Sequence, residues 1–405
     1  MQRGIVAVSA AAALLALSGC AGSGAAGEGT VLEDQSRSLT IWVDDDRQEP
    51  VTRAVEQFTA DTGVEVEIVL RNYEEIRNDF ISQVPTGEGP DITVGANDWL
   101  GELAVNGVVS PIEPGEMTEE MEPVSLEAFT YEGQIWAVPY AIENLALIRN
   151  TEMTEVTPET WDEAVEVGEE LDAEYPILLQ MDTEGDPYIM YPMQTSFGAE
   201  VFERAEDGSY EPQMAMGGEP GAEFAEWLQT QGEAGVLDTA VTFDIAREAF
   251  ANGESPYLIS GPWMLPEVEH LDVAVEPIPR PGDQEAVPFV GAQGFYISSQ
   301  TESPLLATEL VTDYLASHEA QVSMFEAGGR TPALLSAAEV AAEDPRMDGF
   351  AQVGAEGLPM PGIPEMAIVF DYWGVAHAQI VDGRSQDPAV TWEQTVDTIQ
   401  AQLDD

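Results

Sequence analysis

The stretch LTIWVDDDRQEPVTRAVEQFTADTGVEVEIVLRNYEEIRNDFISQVPTGEGPDITV, residues 39–94, alternates the sequence patterns of strands and helices. Runs of apolar and β-branched residues predict three strands: 39–43, 64–68 and 91–94. Apolar residues at helical spacing predict two helices between them: 51–58, with Gly63 as its stop, and 76–84. This order of elements predicts a parallel sheet with right-handed crossovers, and hence an α/β fold.

Two polar segments follow predicted strands of this sheet. Asp44-Asp45-Asp46-Arg47 comes after the first strand, and Gly95-Ala96-Asn97-Asp98-Trp99 comes after the third. Ligands of open α/β sheets bind beyond the carboxyl ends of the strands. We therefore expect both segments to line a binding site.

The N-terminus has the layout of an export signal: Arg3, an apolar run over 4–17, and the small residues Ser18 and Gly19. That run is shorter than the roughly 20 apolar residues that a membrane span needs. Leu17-Ser18-Gly19-Cys20 resembles the lipobox of bacterial lipoproteins, in which the cysteine is lipidated and becomes the first mature residue. We expect 1–19 to be a lipoprotein signal peptide and 20–37 to be a lipidated Cys20 with a flexible linker. The alternative is an ordinary signal peptide followed by a free thiol.

Length and charge narrow the class of protein. A chain of 405 residues exceeds what one hydrophobic core usually serves, so two domains are expected. All 13 basic residues are arginine, against 76 acidic ones, and the net charge of −63 would repel nucleic acid and anionic lipids. Adaptation of the surface to a salty environment explains this charge, and it predicts a melting temperature that rises up to molar NaCl. A flat response would contradict it and leave an acidic site for a cationic ligand.

Signatures of cofactor chemistry are weak. Gly87-Glu88-Gly89 lacks the third glycine and the lysine of a phosphate-binding loop. His270, His318 and His377 have no paired-ligand spacing. We expect no metal and no cofactor, and 76 acidic residues make chance carboxylate pairs uninformative.

Aromatic residues beside turns and polar groups give a stronger signal. Sugars present apolar C–H faces ringed by hydroxyls, so their sites combine flat rings with carboxylates, amides and arginines. Four segments have that composition: Asp46-Arg47, Asp98-Trp99, Asp186-Pro187-Tyr188 and Gly261-Pro262-Trp263.

From Leu39 to the C-terminus the chain resembles the maltose and maltodextrin-binding proteins, the extracellular solute-binding receptors of ABC sugar importers. The matching motifs run in the family's order: Phe58 to Val64, Thr86 to Ile92, Val138 to Leu145, Ser260 to Trp263, Phe289 to Gly291, Asp344 to Arg346, and Met360 to Met366.

This resemblance implies a two-lobed, periplasmic-binding-protein-like α/β fold with the ligand in the cleft between the lobes. The implied boundaries are an N-lobe of 38–141 plus 295–340, a C-lobe of 146–289 plus 346–405, and hinge crossings at 141–146 and 290–295. Rotation at a few hinge residues would close the cleft.

The resemblance also implies the ligand contacts. Stacking on sugar faces is expected from Tyr188, Trp263 and Phe370, and hydroxyl hydrogen bonds are expected from Asp46, Arg47, Asp98, Glu143 and Asp186. The chain departs from the family by Gly95 and Trp99 in the third loop, a change that would move a ring across the loop and makes Trp99 a candidate contact. The alternatives are a hinge role for Glu143, a core role for Trp263 and a helix cap for Asp46.

The resulting hypothesis is a lipid-anchored extracellular receptor, a monomer without enzymatic activity, on the outer face of the cytoplasmic membrane. It would bind a neutral, malto-oligosaccharide-like sugar and deliver it to an ABC permease. Another neutral solute such as trehalose is the alternative ligand. A secreted glycoside hydrolase or a lipid-anchored adhesin is the alternative class.

Overall fold

The strand and helix order expected for residues 39–94 is present in the computed structural model, which describes residues 38–113, 115–205 and 209–404. The first strand is parallel to the second, with Ser38 opposite Glu65, and to the third, with Ile41 opposite Ile92. The predicted parallel α/β unit is confirmed. The described strands are β1 Ser38–Val43, β2 Glu65–Leu70, β3 Ile92–Ala96, β4 Val109–Ser110, β5 Thr130–Tyr131, β6 Gln134–Ile135, β7 Ala137–Asn144, β8 Ala146–Asn150, β9 Phe202–Arg204, β10 Tyr210–Met214, β11 Tyr257–Ser260, β12 Val273–Glu276, β13 Phe289–Ser298, β14 Thr331–Pro332 and β15 Leu358–Pro359.

Helices cover the faces of the sheets. They are α1 Asp45–Thr62, α2 Tyr73–Gln83, α3 Leu100–Val105, α4 Pro123–Ala128, α5 Trp161–Glu170, α6 Pro187–Thr195, α7 Gly218–Ala234, α8 Phe243–Ala251, α9 Pro304–Glu309, α10 His318–Gly328, α11 Leu335–Ala341, α12 Pro345–Ala355, α13 Glu365–Val381 and α14 Pro388–Leu403. Short 3₁₀ turns occupy Val84–Thr86, Asn97–Trp99, Gly115–Glu119, Pro262–Met264 and Pro266–Val268, and a π-helical segment at Leu310–Leu315 continues α9.

The first polar segment is helical instead of a loop. Asp44 caps α1, because its carboxylate accepts a hydrogen bond from the backbone N–H of Arg47 at 3.3 Å. Asp45, Asp46 and Arg47 therefore lie in the first turn of the helix. The alternative that Asp46 is the cap is wrong, since the capping residue lies two positions earlier.

The strands form one large and one small main sheet. The large sheet has the order β14-β7-β13-β3-β1-β2, with β4 and β15 also paired to β13. The small sheet places β8 between β11 and β12. The chain passes from the large sheet to the small one between β7 and β8, at Leu145.

Buried side chains form a first core around the large sheet and two further cores beyond it. The first core holds residues from Leu39 to Ala141 and from Ala292 to Ala337. The second core, centred on Trp161, Trp373 and Trp392, and the third take residues outside those two ranges. We call the part of the molecule around the first core the first-core side. The part around the second and third cores is the second-core side. The residue boundaries of the two lobes stay a prediction.

Candidate ligand-binding site

Arg47 is buried in the first turn of α1, with 2% of the residue exposed. Its guanidinium donates hydrogen bonds to the Asp44 carboxylate and the Tyr140 hydroxyl. It also lies 5.0 Å from the centre of the Tyr73 ring and 5.5 Å from that of Tyr140. Arg47 Nη2 is buried and has no hydrogen-bond partner among the described residues. One strong donor of this arginine is therefore left without a partner in the described part of the chain.

A second arginine, Arg330, joins two of the predicted carboxylates. Its Nε donates to Glu143 at 2.6 Å, and its Nη1 lies 3.4 Å from Asp46. Gln293 donates to the other oxygen of Glu143 at 2.8 Å. Only about a tenth of the Arg330 and Glu143 side chains is exposed, 11% and 10%, whereas half of the Asp46 side chain is, 50%. These groups form a polar cluster in which one arginine is paired with two carboxylates.

The predicted stacking rings lie on the second-core side. Tyr188, Trp263 and Phe370 are partly buried and pack against the second core. Tyr188 and Trp263 have ring centres 6.3 Å apart at an angle of 41°, and the Arg330 guanidinium carbon lies 5.5 Å from the Trp263 centre. This contact joins the polar cluster to the aromatic surface.

The hydroxyl of Tyr188, on the second-core side, lies within electrostatic reach of carboxylates in Glu143 and Asp98. Burial raises the pKa of its hydroxyl well above the ordinary value, and the negative charges of Glu143 and Asp98 raise it further. The hydroxyl is buried without a hydrogen-bond partner among the described residues. It is a second donor that a bound molecule would satisfy.

Asp98 and Trp99 share a 3₁₀ turn directly after β3. Burial raises the pKa of Asp98 to about 6, against the lowering effect of Arg77, and Glu143 adds to the increase. Trp99 is only 7% exposed. A Cβ at Gly95 would lie 2.5 Å from its ring, so the two departures from the family pattern depend on each other. A ligand contact by Trp99 stays a prediction.

Asp186 and Phe370 have mainly structural partners. Asp186 caps α6 by accepting from the backbone of Ile189 at 3.0 Å, and it also accepts from the Gln180 amide. Phe370 lies in α13, with its ring centre 5.9 Å from that of Trp373. Their roles as ligand contacts stay predictions, and the predicted lipidation site Cys20 lies outside the described residues.

The structure thus brings Asp46, Glu143 and Trp263 against Arg330, a residue that the sequence analysis missed. Tyr188 lies beside Trp263. Arg330 had one signal, its position after the turn residues Gly328-Gly329 in a chain with few cations. Other polar or aromatic neighbours of the cluster had no local signal: Tyr73, Tyr140 and Gln293.

Two features are absent from the residues that the structure describes. No helix within them is long and apolar enough to cross a membrane. In the same part of the chain, no group of three or more His, Cys, Asp or Glu residues is placed to hold a metal ion.

The chain is similar to known bacterial solute-binding proteins. A family model described as bacterial extracellular solute-binding protein matches residues 53–349. The chain is 25% identical to the maltodextrin-binding protein MdxE of Bacillus subtilis, over 95% of this chain and 93% of that protein. It is 21% identical to a maltooligosaccharide ABC transporter solute-binding lipoprotein of Streptococcus pneumoniae, over 83% and 82%. The solved structure of Thermus thermophilus maltotriose binding protein, bound with maltotriose, matches with a TM-score of 0.83 at 28% identity, covering 90% of this chain and 100% of that one.

The chain belongs to the family of bacterial extracellular solute-binding proteins. The family resemblance read from the sequence is confirmed, as is the expected two-lobed α/β fold class.

Proposed function

We propose that this protein is the receptor of an ABC sugar importer, and that it binds a malto-oligosaccharide between its two sides and releases it unchanged to the permease. The observation that carries the proposal is the contact of the polar cluster, through Arg330, with the ring of Trp263. Charged hydrogen-bonding groups and a flat ring meet at one place, which is what the alternating hydroxyl and C–H surface of a glucose unit requires.

Two donors in this site support a polyhydroxylated ligand. Arg47 Nη2 and the Tyr188 hydroxyl are buried and lack partners among the described residues. An unpaired buried donor costs about 1–3 kcal/mol, which a ligand hydroxyl would recover on binding. Purely apolar ligands would leave both donors unpaired.

The pairing of both arginines with carboxylates disfavours an anionic ligand. Arg47 pairs with Asp44, and Arg330 pairs with Glu143 and Asp46, so neither guanidinium is left to balance a phosphate or carboxylate. Trehalose and other neutral oligosaccharides fit the same chemistry. A sugar panel is therefore needed to choose among them.

One observation favours the second candidate, a glycoside hydrolase. Asp98 has a pKa raised to about 6, as a general acid requires, and it lies within electrostatic reach of Glu143. However, Glu143 is held by Arg330 and Gln293, which orient it for binding rather than leave it available to attack a sugar. The receptor is thus the better-supported function.

A thermal-shift screen with product analysis tests the proposal. Maltotriose, longer malto-oligosaccharides, galacto-oligosaccharides and trehalose are each added to the purified protein. A ligand at 100 times its dissociation constant stabilises the fold by about 2.7 kcal/mol. We expect the malto-oligosaccharides to raise the melting temperature and chromatography to return them intact. Shortened sugars would identify a hydrolase, and no shift with any sugar would refute a sugar receptor.

We further propose that Cys20 anchors the receptor beside its permease, as a monomer without a cofactor. The lipobox at 17–20 supports the anchor, and the membership in an extracellular family supports the location. A single acyl chain binds membranes only marginally, so a durable anchor needs more than one chain. Cys20→Ser should move the protein from the membrane fraction to the medium. Unchanged membrane association would contradict the anchor.

A further inference from the structure

We propose that Arg330 is a positioning residue of this site, which couples the carboxylates on the first-core side to the ring of Trp263 on the second-core side. The tests of this inference that measure maltotriose binding rest on the proposed function. The coupling itself concerns contacts within the protein.

Sheet pairing explains why Arg330 reaches Glu143. Strand β14 pairs antiparallel with β7, and Thr331 lies opposite Ile142. One step back along β14 and one step forward along β7 bring Arg330 beside Glu143, where Nε and the carboxylate are 2.6 Å apart. The backbone register thus fixes this contact.

Backbone packing explains why Arg330 also reaches Trp263. Gly329 caps the C-terminal end of α10 in the left-handed backbone conformation, with φ 69°. A Cβ on Gly329 would lie 2.3 Å from the carbonyl oxygen of Pro262. The backbones of the two sides therefore touch one residue before Arg330 and one residue before Trp263. Each side delivers its functional residue from the same contact point.

The guanidinium suits both partners because its surfaces differ. Its edge carries N–H donors that bind carboxylates, and its planar face stacks on aromatic rings. The N–H groups of Arg330 contact Glu143 and Asp46, and its guanidinium carbon lies over the Trp263 ring, 5.5 Å from the ring centre. A lysine ammonium has the charge but no planar face.

The substitution Arg330→Lys tests the coupling. We expect the dissociation constant for maltotriose to rise at least about tenfold, because the charge alone does not hold both partners. Arg149→Lys is the matched control. Arg149 pairs in a bidentate manner with Glu276, at 2.9 and 2.7 Å, in the small sheet. Equal affinity of wild type and Arg330→Lys would overturn the inference.

A double-mutant cycle separates positioning from a merely structural role. If Arg330 acts through Trp263, then Arg330→Lys combined with Trp263→Phe weakens maltotriose binding by less than the product of the two single fold-changes. Independent, multiplicative effects would overturn the coupling even if both single variants bind weakly.

A ligand-free measurement distinguishes failure of this inference from failure of the proposed function. Wild type that binds no sugar refutes the proposed receptor. The coupling is then tested by small-angle X-ray scattering, where Arg330→Gln should have a larger radius of gyration than wild type and Arg149→Gln should not. If Arg330→Gln does not fold because Glu143 is left unpaired, the double variant Arg330→Gln, Glu143→Gln is measured instead. An unchanged radius would overturn the inference.

Discussion

The two sides of the candidate site contribute different chemistry. The first-core side supplies charged groups, namely Asp46, Arg47, Asp98, Glu143 and Arg330, whereas the second-core side supplies the rings of Tyr188, Trp263 and Phe370. On the first side, ion pairs and hydrogen bonds hold the side chains in place. On the second, packing against an aromatic core does so. Hydroxyl recognition and stacking are thus assigned to different parts of the fold, and neither part forms the site alone.

The cores beneath the two surfaces differ in the same way. Beneath the rings, His377 is fully buried against Trp392, with ring centres 5.4 Å apart and planes at 6°, and neither ring nitrogen has a hydrogen-bond partner among the described residues. Burial lowers the pKa of His377 to about 3. On the charged side, burial instead raises the pKa of Asp98 to about 6. Acid should therefore affect the two sides in opposite directions.

The largest effect is expected at His377. The folded protein keeps this ring neutral down to about pH 3, whereas the unfolded chain protonates it near 6.5, so its contribution to stability is complete above 6.5 and is lost as the pH falls. The loss should reach about 3 kcal/mol at pH 4.5, two pH units below the ordinary pKa. Denaturant unfolding at pH 6.5 and at pH 4.5 measures it. Between these two values the free energy of unfolding of His377→Phe should rise by that amount relative to wild type. Phe350→Leu, a core change without a titratable group, should give a pH-independent difference, and a similar constant difference for His377→Phe would contradict the assignment.

Removal of the stacking ring should have the next largest effect. Trp263→Ala should weaken maltotriose binding about 30-fold, or about 2 kcal/mol, as for a central aromatic contact. Calorimetric titration measures it. Trp227→Ala is the control, because Trp227 is also partly buried on the second-core side but packs against Trp161 and Phe224. Unchanged affinity for maltotriose in Trp263→Ala would show that this ring has a role in the core and not in ligand binding.

A change of charge on the opposite side should have a smaller effect. Glu143→Gln keeps the shape of the side chain but weakens its hold on Arg330, and we expect about a tenfold loss of affinity, or about 1.4 kcal/mol. Glu276→Gln makes the same change in the Arg149 pair, away from the cluster, and should leave affinity unaltered. Equal losses in the two variants would show a general effect of charge rather than a specific contact.

The smallest effect is expected from Asp98→Asn. The folded-state pKa of Asp98, about 6, exceeds its unfolded value of 3.8, so the folded protein takes up the proton first and wild type gains stability relative to the variant as the pH falls from 6 to 4. Because the carboxyl keeps some exposure, the gain over this whole range should stay below about 1.4 kcal/mol. Unfolding free energies across this range measure it. A relative loss, of the same sign as at His377, would contradict the burial of Asp98.

Local sequence patterns predicted the parts of this molecule that depend on neighbouring residues. The alternation over residues 39–94 gave the strands and helices, and the rule for parallel sheets placed Arg47 and Asp98 at strand ends. Long-range contacts were beyond such patterns: Arg330 meets Glu143 only because β14 pairs with β7 across 187 residues. Equally, no spacing could distinguish Asp44 from Asp46 as the cap of α1, since both acids precede the same apolar face.

The central claim is that charges from one side and rings from the other bind one neutral sugar without changing it. Titration calorimetry of the purified protein with maltotriose, followed by chromatography of the same sample, tests it most directly. We expect saturable binding at one site, weaker binding in Trp263→Ala but not in Trp227→Ala, and recovery of intact maltotriose. The absence of saturable binding, or the release of glucose or maltose, would contradict it.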